Sequence, residues 1–191
     1  MIRLYAFLGN HGREYHGNRH NVAWLFLESL PFYDELRWER KFKGRHAVRE
    51  TPAGRTWILM PETFMNLSGD AVAELMRFHQ IEPAEVLAVH DEIEMGFGLF
   101  GFKMGGGLGG HNGLRSLEAR LGTRDFARLR IGVGRPEHPD IADYVLSNFT
   151  KAERELLETS VFPKAATALE LCFAEGFETA LAKYPKIRAL D

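Results

Sequence analysis

The sequence predicts a single α/β domain. Short apolar segments at Arg3–Leu8, Val86–Val89 and Ala127–Val133 predict buried strands, and a segment with apolar residues at helical spacing, Gly69–His79, predicts a helix between two of them. The length of 191 residues and the hydrophobic content of 45% suit one core, and neither a repeat nor a disordered linker divides the chain. We therefore expect residues 1–191 to form one domain.

The first half of the chain supplies the other predicted elements before residue 80. The first strand runs into a glycine turn, and Asn21 is predicted to cap a helix that continues to about Leu30. The β-prone segments Arg45–Glu50 and Thr56–Met60 flank a turn that contains Pro and Gly, which predicts a hairpin. Ser68 is predicted to cap the helix that follows.

The second half begins with the glycine-rich loop Gly105–Gly110, followed by a predicted helix over His111–Leu121. Thr150–Glu153 has the spacing of a capping box, and the remaining third is predicted to be helical. We expect that helical segment to be interrupted at Pro163 and to end near Gly176.

The apolar segments and the cysteine content indicate where the protein works. No apolar run approaches the roughly 20 residues of a membrane-spanning helix, and no signal-peptide segment precedes the first strand. The single cysteine, Cys172, lies in an apolar stretch, which excludes a disulfide framework and predicts a buried, unreactive thiol. A soluble protein in the reducing cytoplasm is expected.

The positive charge is concentrated in residues 101–136, where seven Lys and Arg residues face two acidic ones although the chain as a whole carries −2. Such a block is typical of a surface that binds a polyanion such as nucleic acid. A solvated helix face accounts for it equally well.

Several chemical classes are excluded by their missing motifs. Gly105–Gly110 matches G-x-G-x-x-G, but it does not follow the first strand of a βαβ unit, so a dinucleotide site is not predicted. The histidines His11, His16 and His20 lack a metal-binding signature, so neither a metal nor another cofactor is expected. A G-x-S-x-G elbow is also lacking, which argues against a covalent serine route.

A set of uncharged or weakly basic groups remains at loops and strand ends: Asn10, His20, Asn66, Asp91 and Asn112. A histidine with a pKa of about 6.5 can take a proton from water, and an aspartate behind it orients the ring. Asparagine amides can hold a peptide or a developing oxyanion. The set favours water-mediated acyl transfer, although each residue alone also fits a turn, loop or capping position.

Five segments together resemble the bacterial-type peptidyl-tRNA hydrolases, in that family's order and spacing. They are Gly9–Asn21, Thr63–Gly69, His90–Glu92, Lys103–Ser116 and Arg128–Pro136. The likeness is strong over roughly residues 2–150 and weaker in the helical remainder. It implies a monomer with a mixed central sheet flanked by helices, and an enzyme that recycles tRNA by hydrolysing peptidyl-tRNA without a cofactor.

The resemblance also assigns roles to individual residues. It implies that His20 is the general base, that Asp91 orients it and that Asn10 completes the catalytic group. The implied substrate-binding residues are Tyr15, Met65, Asn66 and Asn112. The implied contacts to the tRNA acceptor stem are Lys103, His111 and Arg130.

The chain departs from the family's usual pattern at His11, where proline is usual, at Asn18, where threonine is usual, and at Leu108, which is often histidine. Two alternatives remain open at this point. One is a non-catalytic RNA-binding protein with the same fold, and the other is an esterase that acts on small acyl substrates.

Overall fold

A mixed eight-stranded sheet organises the part of the chain that the computed structural model describes, residues 1–137 and 140–190. The strand order is β2-β3-β4-β1-β5-β7-β6-β8. The four central strands β4, β1, β5 and β7 are parallel, and the outer strands are antiparallel to their neighbours. The strands are β1 Leu4–Phe7, β2 Glu39–Lys41, β3 Gly44–Thr51, β4 Gly54–Pro61, β5 Val86–Glu92, β6 Leu99–Met104, β7 Ala127–Gly132 and β8 Ile187–Arg188. The predicted α/β class with a mixed sheet is confirmed.

Helices cover both faces of this sheet. They are α1 Val22–Ser29, α2 Ser68–His79, α3 Asn112–Leu121, α4 Ile141–Val145, α5 Lys151–Leu156, α6 Phe162–Glu175 and α7 Phe177–Lys183. Side chains of β1 alternate between the two faces, as the pleat of a strand requires. Tyr5 and Phe7 pack with α1 and α6, whereas Leu4 and Ala6 pack with α2 and α3. No helix in the described ranges is long and apolar enough to span a bilayer.

Neither predicted helix cap makes a capping hydrogen bond, and of the two only Asn21 occupies an N-cap position. Leu67 occupies the N-cap position of α2, and the Ser68 hydroxyl donates to the Met65 carbonyl at 2.8 Å. Asn21 is the N-cap residue of α1 without a capping hydrogen bond, because its side chain binds the backbone of Asn10 instead. Both side chains support the turn beneath the candidate site.

The C-terminal third follows its predicted outline with one correction. The capping box is confirmed, since the Thr150 amide donates to Glu153 and the Glu153 amide donates to the Thr150 hydroxyl. The predicted interruption near Pro163 is present, but it lies just before the proline, since Pro163 itself is in the first turn of α6. A π-helical segment, Leu157–Val161, joins α5 to α6 at this point. Gly176, at φ +94°, ends α6 as expected.

The candidate site lies at the carboxyl ends of the parallel strands. Asn10 follows β1, Met65 follows β4, and Asp91 is near the end of β5. Open α/β sheets bind their ligands at this edge. Helices α2 and α3 pack closely near this edge, because a Cβ at Gly69 would lie 2.2 Å from the Ser116 carbonyl oxygen.

Candidate active site

His20, Asp91 and His111 form a buried hydrogen-bonded cluster. His20 Nδ1 lies 2.9 Å from both Asp91 carboxylate oxygens, and His111 Nε2 lies 2.7 Å from Asp91 Oδ1. Asp91 is 2% exposed and His20 is 7% exposed. The structure therefore brings the predicted base and its orienting carboxylate together, and it adds a second imidazole.

The hydrogen bonds fix the proton positions in this cluster. His111 Nδ1 accepts from the backbone amides of Gly113 and Leu114, at 3.1 and 3.2 Å, so its proton is on Nε2 and is donated to Asp91. His20 donates from Nδ1, which leaves Nε2 without a proton and able to accept one. Asp91 thus receives a hydrogen bond from each imidazole.

The electrostatics make His20 a stronger base. Burial alone lowers the pKa of His20, but the charge of Asp91 and its hydrogen bond outweigh burial, so the pKa is raised above its ordinary value. Burial likewise acts to raise the pKa of Asp91. The charge of protonated His20 and the hydrogen bonds from His20 and His111 prevail, and they hold that pKa below its usual range.

His90 packs behind this cluster and does not face the cavity. Its Nδ1 donates to the Asp91 carbonyl at 2.7 Å, and its ring lies 5.1 Å from that of His111. Burial is the main cause that lowers the pKa of His90, to about 3. His90 is therefore neutral at physiological pH.

Asn10 is held by three hydrogen bonds. Its backbone amide donates to Asn21 Oδ1 at 2.8 Å, and its carbonyl accepts from Asn21 Nδ2 at 3.0 Å. Its side-chain oxygen accepts from the Met65 amide at 2.6 Å. Because that oxygen is used, the Asn10 side chain offers its amide N–H groups to a ligand.

The other predicted substrate-binding residues lie on the two loops beside Asn10 and at the start of α3. Tyr15 contacts the ring of Phe64 edge-on at 6.5 Å, and Asn66 is exposed. Met65 is buried, and a Cβ at Gly113 would lie 2.6 Å from its sulfur, so it supports α3 from below. Asn112 is exposed at the first turn of α3.

A cavity of about 260 Å³ opens beside the cluster. His20 and Asp91 contribute polar groups to it, and the first turn of α3 contributes Asn112. The apolar part of its wall consists of Ile93, Leu108, Ile141, Ala142 and Val145. The residues from α4 were not predicted, although Asp140 is an N-cap whose side chain accepts from the Asp143 amide and could have indicated that helix.

Arg19 links the catalytic turn to the region around α4. Its guanidinium donates to the Asn148 carbonyl at 2.5 Å, forms an ion pair with Glu153 at 2.9 Å and lies 4.7 Å from the Tyr144 ring centre. Arg19 is buried and immediately precedes His20. The positions of His20 and of the cavity wall are therefore coupled.

The ring nitrogens and carboxylate of this cluster are also of the type that binds transition metals, and ligand atoms of His20, Asp91 and His111 lie within 4.8 Å of one another. The nitrogens that face the carboxylate are His20 Nδ1 and His111 Nε2. Each of them carries a proton and donates it in a hydrogen bond to Asp91. A metal ion would have to displace both protons. The arrangement fits acid–base chemistry better.

Comparison with known proteins places this site in a family. The model of the Peptidyl-tRNA hydrolase family matches residues 4–190. A peptidyl-tRNA hydrolase of Geobacter sp. (strain M21) is 41% identical, covering 94% of this chain and 95% of the relative. One from Treponema pallidum (strain Nichols) is 48% identical, covering 87% of this chain and 83% of the relative. The chain belongs to the peptidyl-tRNA hydrolase family.

Solved structures of peptidyl-tRNA hydrolases agree with this assignment. The crystal structure of the enzyme from Acinetobacter baumannii aligns with a TM-score of 0.85 at 32% identity, covering 95% of this chain and 93% of that one. A complex of a peptidyl-tRNA hydrolase with N-propanol aligns with a TM-score of 0.86 at the same identity, covering 96% of this chain and 93% of that one. The predicted family is confirmed, and it is a family of enzymes.

Within this peptidyl-tRNA hydrolase fold, the basic block divides into structural and available cations. Arg128 is 1% exposed and donates to the carbonyls of Gly106 and Gly107, so it anchors the glycine-rich loop. Arg120 and Arg124 pair with acidic residues on the helix surface, as the solvated-face alternative expects. The net charge of the block therefore overstates the cationic surface.

The two predicted RNA contacts of that block, Lys103 and Arg130, differ in whether their side chains already form hydrogen bonds within the protein. Arg130 donates to the carbonyl oxygens of Phe102 and Pro185, at 3.3 and 2.9 Å. The Lys103 side chain lies beside Gly106, and its ammonium group has no ion pair or hydrogen bond within residues 1–137 and 140–190. Of these two residues, Lys103 is therefore the one whose charge is free to meet a phosphate.

The departures from the usual family pattern have local explanations. The backbone amide of His11 donates to the Thr63 carbonyl at 3.0 Å, a bond that proline could not make. Asn18 is buried and pairs with Asn148 in an isolated β-bridge. Leu108 makes the cavity wall apolar where the family often has a histidine.

Proposed function

We propose that the protein hydrolyses the ester that joins a peptide to the 3′ end of tRNA, with water activated by His20. The observation that carries this proposal is the buried His20–Asp91 pair at 2.9 Å, with His20 lining the cavity. A raised pKa strengthens the base, and the orienting carboxylate stabilises the imidazolium that forms.

The reaction follows from this proton arrangement. His20 Nε2 takes a proton from water as the water oxygen bonds to the ester carbonyl carbon, giving a tetrahedral oxyanion. Collapse of that intermediate breaks the bond to the ribose oxygen. The His20 imidazolium returns its proton to this leaving oxygen, which gives free tRNA and a peptide carboxylic acid that then ionises. Asp91 keeps its charge throughout.

The asparagines are proposed to position the acyl group. Asn10 presents amide N–H groups from a side chain whose oxygen is already bound by Met65, which suits donation to the oxyanion or to a peptide carbonyl. Asn66 and Asn112 are exposed on either side and can bind the peptide backbone. Tyr15 and Met65 are proposed to complete the substrate-binding walls.

The RNA part of the substrate is proposed to lie against Lys103 and Arg130. The two residues lie on the paired strands β6 and β7. Arg130 is opposite Gly101, and Gly101 is two residues from Lys103, so Lys103 and Arg130 are on the same face of the sheet. His111 was predicted on the RNA side, but both of its ring nitrogens are hydrogen-bonded within the protein. We propose that it acts on the substrate through Asp91.

The proposed setting is a monomer in the cytoplasm. The cytoplasmic part of this proposal is supported by the Cys172 thiol, which is buried and hydrogen-bonded with Tyr5 at 3.4 Å. Burial is the main cause that raises the pKa of this thiol to about 11. Such a thiol takes no part in disulfide chemistry. Size-exclusion chromatography with light scattering tests the monomer directly.

The decisive experiment is incubation of purified protein with N-acetyl-aminoacyl-tRNA in EDTA, followed by measurement of free tRNA. We expect release by the wild type and a loss of about 10²–10⁴-fold in His20→Ala, because the general base is gone. A metal requirement, or undiminished release by His20→Ala, would contradict the mechanism. Equal kcat/KM for a small N-acyl-amino-acid ester would favour the small-substrate esterase, and tRNA binding without release would favour the RNA-binding alternative.

A further inference from the structure

A second groove of about 640 Å³ lies next to the Asn10 loop and takes no part in the proposed chemistry. Its floor includes Trp24, and its walls come from the loop after β1 and from the outer strands. We call it the arginine groove, after the side chains that give it its charge. These are Arg13, Arg40 and Arg45, with Glu62 and His11 beside them.

The groove already holds one carboxylate and has cations in excess of it. Glu62 Oε1 lies 2.8 Å from Arg45 Nε and 3.8 Å from Arg40 Nη2. Arg40 is nevertheless 79% exposed. Arg13 has no acidic side chain within 4.0 Å in the described part of the chain. The arginines therefore suit a second carboxylate, since guanidinium groups match carboxylate geometry.

The walls of the groove continue the two segments that hold Asn10. His11 directly follows Asn10, and Glu62 precedes the segment whose Met65 amide binds the Asn10 side chain. The two segments are joined by the hydrogen bond from the His11 amide to the Thr63 carbonyl. The same two chain segments therefore contribute residues to the arginine groove and to the proposed acyl-binding region.

The strand order places the arginine groove and the proposed RNA contact Lys103 on opposite sides of Asp91. Asp91 is on β5, and Lys103 lies on β6, beyond β7. Arg40 and Arg45 lie on β2 and β3, beyond β1 and β4 on the other side. If the ester lies at His20 and the RNA lies toward Lys103, the peptide extends toward the arginine groove.

We propose that the arginine groove is a subsite for an acidic side chain of the peptide, upstream of the residue that is esterified to tRNA. This inference rests on the proposed function and deepens it, because it gives the enzyme a preference among its peptidyl-tRNA substrates. Arg13 and Arg40 bind the peptide carboxylate, and Arg45 remains paired with Glu62.

The test compares N-acetyl-dipeptidyl-tRNAs that share one esterified residue and carry Asp, Ala or Lys before it. We expect kcat/KM to be about two- to fivefold higher for Asp than for Ala, the effect of one exposed ion pair, and lowest for Lys. The preference should weaken at high salt, because exposed charges are screened. N-acetyl-aminoacyl-tRNA, which lacks the upstream residue, serves as the reference substrate.

Variants assign the preference to the groove. The double variant Arg13→Ala/Arg40→Ala should lose the Asp preference while its rate on the reference substrate stays unchanged. The charge reversal Arg13→Glu should favour Lys over Asp. Arg55→Ala is the matched control, since Arg55 is an exposed, paired arginine at the opposite end of β4 and should keep the Asp preference.

Three outcomes would overturn the subsite. These are equal kcat/KM for all three dipeptides in the wild type, an Asp preference that persists in the double variant, or a KM increase in that variant that is the same for every substrate and reduces the salt dependence. The last result would place RNA phosphate in the groove. Failure to hydrolyse even the reference substrate would count against the proposed function itself.

Discussion

His111 shows how a single residue can serve the helix and the site at once. Its Nδ1 caps α3 by accepting two backbone amides, and this fixes the Nε2 proton that is donated to Asp91. The orientation of Asp91 therefore depends on where α3 begins. This explains why His111, which the family resemblance assigned to the RNA side, belongs to the cluster around Asp91.

Replacing His111 separates these two roles. Asn is a good N-cap but is too short to replace the imidazole bridge to Asp91, so His111→Asn should fold normally. We expect kcat to fall about tenfold with little change in KM, as for a weakened hydrogen bond to a charged group. Steady-state kinetics on N-acetyl-aminoacyl-tRNA measures both constants. A raised KM at unchanged kcat would instead support direct contact with RNA.

The pH dependence of the reaction tests His20 as the base. Its pKa is raised above about 6.5, so kcat/KM should fall on the acid side of a midpoint above pH 6.5, where His20 becomes protonated. Asp91→Asn should reduce the maximum and move this midpoint to lower pH, because the charge that raises the pKa is removed while burial still lowers it. An unchanged midpoint in Asp91→Asn would show that another group is titrating.

Strands β6 and β7 carry two cations, Lys103 and Arg130, whose removal should affect the stability of the protein differently. Lys103 is unengaged within the described residues, whereas Arg130 bonds the carbonyls of Phe102 and Pro185 and so connects β6 to the segment before β8. Removing Arg130 leaves these carbonyls without their donor. Effects of the two alanine substitutions on stability should therefore differ even where their effects on RNA binding agree.

We expect Lys103→Ala to raise KM for peptidyl-tRNA at near-normal kcat and to reduce the slope of binding against salt by roughly 0.7–0.9 per lost phosphate contact. Arg130→Ala should do the same and should also lower the free energy of unfolding by about 1 kcal/mol, the usual worth of a hydrogen bond. Kinetics over a salt series and urea denaturation check the two effects. Neither variant should change hydrolysis of a short substrate that lacks the acceptor stem, and a loss there would refute the assignment.

The sequence predicted elements whose signal is local and missed those that depend on distant partners. Asn10 and Asp91 each follow an apolar run after one intervening residue, so their place at a strand end could be inferred. The strand β6 contains Gly101, whose lack of a side chain weakens the pattern but admits the Pro185 backbone, since a Cβ there would lie 2.4 Å from the Pro185 oxygen. The role of α4 could not be inferred, because Arg19 fixes it from far along the chain.

The stability of the whole protein should depend on pH because of His90, a buried residue of β5 that does not line the cavity. The unfolded chain binds a proton at this residue near pH 6.5, whereas the folded protein binds it only near pH 3. Between these values unfolding takes up a proton. Stability therefore falls as the pH falls, by up to about 1.4 kcal/mol per pH unit from this group.

His90→Gln keeps an N–H donor but does not titrate, so its stability should depend less steeply on pH between 6 and 4. The expected difference in slope approaches that of one proton, and urea denaturation at a series of pH values measures it. His46 and His79, whose pKa values burial also lowers, are present in both proteins and cancel. Parallel curves for the two proteins would show that His90 is protonated in the folded state.

The link from Arg19 to Asn148 and Glu153 also bears on the enzyme's own synthesis. Until its last codon is read and the chain is released, every copy of this protein is itself a peptide esterified to tRNA. The turn that carries His20 acquires its Arg19 partners only from residues more than 125 positions later in the chain. The order of translation thus delays the finished catalytic turn until most of the polypeptide has been made.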